Sequence, residues 1–188
     1  MDYKKKFIEL LESTVKDSTD EVNVNNLINH LDHNGFFKAP CSGAYHLAEE
    51  GGLVKHSVNV AKVADDIAQE LGFLDLSSVR RCSLLHDVGK MGQFGKPNYV
   101  ENILKTTGKM STSKPYVSNK DLMYVPHEIR SIHIVSQFIN LTEEENFAIL
   151  HHNGMYGDLK YTLSGKETPL QMILHFADMW ASRVVEVK

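Results

Sequence analysis

The stretch Leu84-Leu85-His86-Asp87-Val88-Gly89-Lys90 decides how this chain is read. Leu84 and Leu85 belong to an apolar helical pattern, so a helix is expected over 77–88, capped by Ser77 or Ser78. His86 is four residues after Cys82 and seven after Val79, which puts its imidazole on the inward stripe of that helix. Asp87 follows about 100° further round. Neighbours at that angle can address one ion only where the helix ends, and Gly89, Gly92 and Gly95 end it. A polar pair aimed inward needs partners from other segments.

Helical faces supply them. In the last helix, expected from about Thr168-Pro169 to Val185, Leu170, Leu174, Ala177, Ala181 and Val185 share one face, and Asp178 projects into it. A carboxylate there is either half of a salt bridge or a metal ligand. His56 lies in the first turn of a helix over 53–71, on the stripe of Val60, Val63 and Ile67, with Asn59 on the wet side. In a helix over 127–140, His127 leans inward, while Arg130 and His133 face out. His151 and His152 close a helix that starts after Thr142, with Glu145 at capping-box spacing. Any one of these could be a packed core histidine, but four sites near helix ends, two beside a second candidate ligand, favour a shared centre. His30 and His33 read as surface residues. His175 could stand behind the ligands, and His46, in the loop before the long helix, either faces a ligand or does not.

The rest of the chain sets the frame. Helices are also expected over 3–16 and 22–31, and no series of alternating strands appears, so the fold class is all-α. A single domain of 1–188 is expected, with a core over about 46–185 and the helices of 1–45 packed on it. Residues 92–126 are the irregular part: Asn98–Leu104 reads as a short helix, and Tyr116-Val117 with Met123–Val125 as a small β-hairpin. The lysines here (96, 105, 109, 114 and 120) mark either a solvated loop or a basic lid. The formal charge of −4 gives no general reason to bind nucleic acid or an anionic membrane. No stretch reaches the roughly 18 apolar residues of a span, and no signal peptide is visible, so a cytoplasmic protein is expected. The two cysteines, Cys41 and Cys82, have no zinc-like spacing, and no thiolate is expected in the site.

These residues resemble the HD-domain superfamily of metal-dependent phosphohydrolases, from about His46 to Val185. The resemblance rests on Gly51-Gly52-Leu53-Val54-Lys55-His56-Ser57, the 84–90 stretch, Pro126-His127-Glu128, His151-His152-Asn153-Gly154 and His175-Phe176-Ala177-Asp178. It implies a compact helical bundle whose four-residue metal core is His56, His86, Asp87 and Asp178. Members with two metals add three histidines, matching His127, His151 and His152, with Asp87 bridging the ions. The spacing is most similar to the HD domain attached to some bacterial 3′–5′ exoribonucleases. His151-His152 does not run into the Gly-Tyr-Pro of cyclic-dinucleotide phosphodiesterases, and the Glu-Asp pair of alarmone hydrolases is missing.

Imidazole and carboxylate ligands suit one or two ions of Mn²⁺, Fe²⁺, Co²⁺, Ni²⁺ or Zn²⁺. The implied reaction is hydrolysis of a phosphate ester by metal-activated hydroxide, with a nucleotide or a short nucleic-acid end as substrate. Asp87 and Lys90 are the expected catalytic residues. Lys90 or His46 would contact the substrate, although Lys90 also reads as a solvent-exposed lysine. The alternatives are a di-iron oxygenase on the same fold and a non-catalytic nucleotide sensor that keeps its metal for stability.

Overall fold

The computed structural model describes residues 1–187. It is all-α with a small β insertion. Helices α1 (Tyr3–Glu12) and α2 (Ser18–His33) open the chain, capped by the carboxylates of Asp2 and Asp17. After a 3₁₀ turn at Phe36–Lys38 come α3 (Gly52–Glu70) and α4 (Leu76–Leu85), then a second 3₁₀ turn, Val88–Met91. Helices α5 (His127–Val135), α6 (Glu143–Leu150), α7 (Lys160–Leu163) and α8 (Pro169–Trp180) complete the series, and α8 runs into a π turn, Ala181–Val185. Among the described residues, no helix is long and apolar enough to cross a membrane.

Helix α3 lies at the centre, against α1, α4 and α8. Val60 and Ala64 are buried on its expected inner stripe, but Leu53, Val54, Val58 and Ala61 are buried as well. With both sides covered, α3 divides the apolar interior in two. One cluster joins Phe7, Leu11, Leu31, Cys41, Leu84 and Ile134, and the other joins Ala64, Cys82, Ile149, Leu170, Leu174 and Ala177. Each fully buried Leu, Ile or Phe contributes about 1.5–3 kcal/mol. Arg81 ties the N-terminal pair to this frame, since its guanidinium donates to Asp20 Oδ2 at 2.8 Å and to the Thr14 carbonyl at 2.9 Å.

Four expectations need correction. The cap of α4 is Asp75, whose carboxylate accepts the Ser78 N–H at 3.0 Å; the Ser77 and Ser78 hydroxyls donate instead to the Thr14 carbonyl and to Glu145. The insertion consists of two antiparallel pairs, β1 (Gly92–Gln93) with β2 (Lys96–Pro97) and β3 (Tyr99–Glu101) with β4 (Tyr116–Ser118). So the expected helix at 98–104 is part strand, and 116–118 pairs back onto 99–101 instead of onto 123–125; the β-branched and aromatic residues of Tyr99-Val100 and Tyr116-Val117 suit a pleated pair. Arg130 is buried, because the insertion folds over α5 and accepts its guanidinium N–H groups at Gln93 Oε1 and the Met123 carbonyl. Finally, Val185 points outward, half exposed, because the π turn shifts the register of the last face. The capping box of Thr142 and Glu145 is present as expected.

Candidate metal centre

The candidate residues gather where helices end. His56 comes from the first turns of α3, His86 from the end of α4 and Asp87 from the turn after it. His127 opens α5, His152 follows α6, and Asp178 lies near the end of α8. Asp87 is the hub. Its Oδ2 lies 3.5 Å from His56 Nε2 and 3.4 Å from His86 Nε2, and its Oδ1 lies 3.2 Å from His127 Nε2 and 3.6 Å from His152 Nε2. Asp178 Oδ1 joins the first group at 3.1 Å from His56 Nε2. One carboxylate thus faces two clusters of nitrogens.

Each ring is held by its other nitrogen. Nδ1 of His86 lies 2.9 Å from the Ser83 carbonyl, and Nδ1 of His152 lies 2.8 Å from the Ile149 carbonyl. A carbonyl only accepts, so Nδ1 carries the proton and Nε2 presents a lone pair. Nδ1 of His127 faces Glu128 at 3.1 Å, and Nδ1 of His56 faces Glu186 at 3.0 Å. Such outer partners are what orient metal-binding imidazoles. His56 Nε2, His86 Nε2 and Asp87 Oδ1 are buried without a hydrogen-bond partner. Orphaned buried polar atoms are rare, and one divalent cation would satisfy several at once. Among the described residues, His56, His86 and Asp178 are close enough to share an ion, as are His86, Asp87 and His152.

Charge follows the same layout. Burial opposes ionisation of Asp87, but Lys90 and His86 hold it well below the usual carboxylate range. Burial likewise opposes ionisation of Asp178, and the His56 imidazole beside it outweighs this. Burial pushes His152 down to about 3, with His86 adding to the effect, so its imidazole stays neutral at physiological pH. His56 goes the other way: burial lowers it, but the carboxylates of Asp178 and Glu186 raise it well above the ordinary histidine value. A proton at His56 Nε2 and a cation between the carboxylates answer the same negative field.

Residues 53–180 match the protein family described as the HD domain. The chain belongs to the HD-domain family. No curated protein and no solved structure matches it.

The glycine of this HD domain's Asp87-Val88-Gly89-Lys90 turn has a steric reason. A Cβ on Gly89 would come 2.2 Å from the His127 carbonyl oxygen, so only glycine lets the turn close onto α5. Its N–H donates to Ser131 Oγ, which donates in turn to that carbonyl, each at 2.8 Å. Lys90 is only partly exposed, and its ammonium lies 2.6 Å from Asp87 Oδ2. Burial disfavours that charge, and Asp87 more than restores it.

His151 is not drawn into the cluster. Its ring packs on Phe147 at 4.6 Å, and the charges that act on it are Lys166 and Glu128. His46 stands behind His56, with ring centroids 5.1 Å apart and its Nε2 3.4 Å from Cys41 Sγ. Cys41, His46 and His56 are also close enough to share an ion, so a thiol adjoins the site. Burial pushes the Cys41 thiol up to about 11, however, which keeps it protonated at neutral pH. His175 donates its Nδ1 proton to the His152 carbonyl at 2.9 Å, and the backbone of Gly154, at φ +55°, passes against its ring.

Sequence reasoning missed Glu186. It lies one residue beyond Val185, the expected end of the last helix, and nothing in the α-helical period singles it out. A groove of about 390 Å³ has Lys90 in its wall. Lys38, Lys90, Tyr99 and Tyr116 line it, with Glu50 and Glu101. Tyr99, Glu101 and Tyr116 share one face of the β3–β4 pair, since Glu101 and Tyr116 are directly opposite in register. The five lysines of the insertion itself are exposed.

Proposed function

We propose that this HD domain is a metal-dependent phosphohydrolase, in which His56, His86, Asp87 and Asp178 hold one divalent cation and Asp87, His127 and His152 can hold a second. The observation that carries this reading is the convergence of buried, unpaired Nε2 and carboxylate atoms on Asp87, each ring fixed by its Nδ1. A bound divalent ion supplies Lewis acidity, acidifying water and offsetting phosphoryl charge. The chain supplies the rest. Asp87 stays ionised at the centre, His152 stays neutral, and the backbone carbonyls of Ser83 and Ile149 keep two rings from turning away.

Lys90 keeps its proton and lies between Asp87 and the groove, so it can donate to a phosphate oxygen arriving from that side. Tyr99 and Tyr116 give the groove flat surfaces for the body of the substrate, which supports a nucleotide or a nucleic-acid end as the ester hydrolysed. The likeness in spacing to exoribonuclease HD domains points to the same class of substrate. The test is metal analysis of the purified protein, then a screen of aryl phosphates, nucleotides and short oligonucleotides with Mn²⁺, Fe²⁺, Co²⁺, Ni²⁺ or Zn²⁺. Turnover is expected with at least one of these, and Asp87→Ala is expected to lose both the metal and at least 99% of the activity, an on-the-order-of 10²-fold effect or larger. Wild-type turnover in that variant would sink the reading.

A further inference from the structure

His56 is gripped from both sides by the C-terminal element: Asp178 reaches its Nε2 at 3.1 Å, and both oxygens of Glu186 reach its Nδ1, at 3.1 and 3.0 Å. The Glu186 side chain is fully buried. Asn59, three residues after His56 on α3, donates its amide to Glu186 Oε1 at 2.9 Å, and His46 Nε2 stands 3.8 Å from Oε2. The π turn makes this possible. Eight α-helical steps of about 100° would leave Glu186 about 80° away from the direction of Asp178. A π turn, which closes its hydrogen bond over five residues, advances only about 82° per step, and five such steps bring Glu186 to within about 10° of that direction. Val185, which an α-helix would have turned inward, is exposed, and Glu186 is buried in its stead. Glu186 lies outside the span that matches the HD family, 53–180.

We infer that Glu186 is a positioning residue of the metal centre: the π turn delivers its carboxylate to His56 Nδ1, and this keeps Nε2 aimed at the cation. The inference rests on the metal-centre reading above and adds to it a part of the chain beyond the family's own span. A carboxylate that merely pinned down the C-terminal turn would matter to stability and not to metal affinity.

The experiment is Co²⁺ titration of the full chain, followed by calorimetry and by the visible absorption of bound Co²⁺, on wild type, Glu186→Ala, Glu186→Gln and Arg183→Ala. Arg183 is an exposed residue of the same turn and is a control. Glu186→Ala is expected to bind Co²⁺ about 10–100-fold more weakly with an altered absorption band. Glu186→Gln, which still offers Nδ1 an acceptor, is expected to recover to within about threefold, and Arg183→Ala to match wild type. Wild-type affinity in Glu186→Ala, or a Gln variant as weak as the Ala variant, overturns the inference. If Glu186→Ala does not fold, Asn59→Ala decides: it frees the carboxylate from its brace, so weakening of several-fold upholds the inference and unchanged affinity overturns it. Failure of wild type to bind Co²⁺ would remove the metal centre itself, and so is distinct from failure of this role for Glu186.

Discussion

Single residues set how closely the segments around the candidate metal centre can approach. Gly89 is the plainest case, since any side chain there would collide with the His127 carbonyl, the Arg130 Cβ and the Ser131 nitrogen, all parts of one helix. Gly89→Ala must push α5 away, so it should cost roughly 1–3 kcal/mol in urea denaturation and weaken metal binding through His127. Unchanged unfolding midpoints would show that the turn relaxes freely. The same residue shows what the sequence can convey. His86-Asp87-Val88-Gly89-Lys90 announced a polar pair at a helix end, and His56, His127, His152 and Asp178 were all legible as inward residues near helix termini. His151 was not separable from His152 by spacing alone. A helix end lets either neighbour turn toward the site, and here the ring of Phe147 takes one of them.

At the scale of elements, caps and irregular turns govern where the candidate ligands fall. Asp75 caps α4, the helix that ends in His86. Burial opposes its ionisation, but the hydrogen bond from the Ser78 N–H outweighs this and holds its pKa below the ordinary value. The folded state therefore binds a proton less readily than the unfolded chain, so this contribution is complete above about pH 4 and fades as the pH falls through the folded value. Asp75→Ala should cost about 1 kcal/mol at pH 7. In thermal melts across the acid range, its gap from wild type should narrow below about pH 4; a gap independent of pH would mean the carboxylate is not the cap. Helix existence was readable from apolar periodicity, and the Thr142–Glu145 box from its spacing. The π turn was not, because a hydrophobic period assumes a constant step, and a single wide turn moves Val185 out and Glu186 in. The pairing of β3 with β4 was hidden for a related reason: the partners are separated by a long loop, and no local turn signal joins them.

For the molecule as a whole, the N-terminal helices are held partly by a buried charge. Arg81 spans α4, the end of α1 and the start of α2, so Arg81→Ala takes the guanidinium away from Asp20 and the Thr14 carbonyl and leaves them only the Lys16 N–H and the Ser77 hydroxyl. A loss of roughly 3 kcal/mol is expected by denaturant unfolding, with part of it recovered in the double variant Asp20→Asn, Arg81→Met. A single variant as stable as wild type would show that the pair is dispensable. The division of the interior by α3 has a practical result. Cys41 belongs to one apolar cluster and Cys82 to the other, and burial raises the pKa of both thiols. Neither should react with iodoacetamide until its own half of the protein opens. Mass spectrometry of the alkylated peptides over time should therefore give two separate clocks, and an added divalent cation that binds the folded state should slow both.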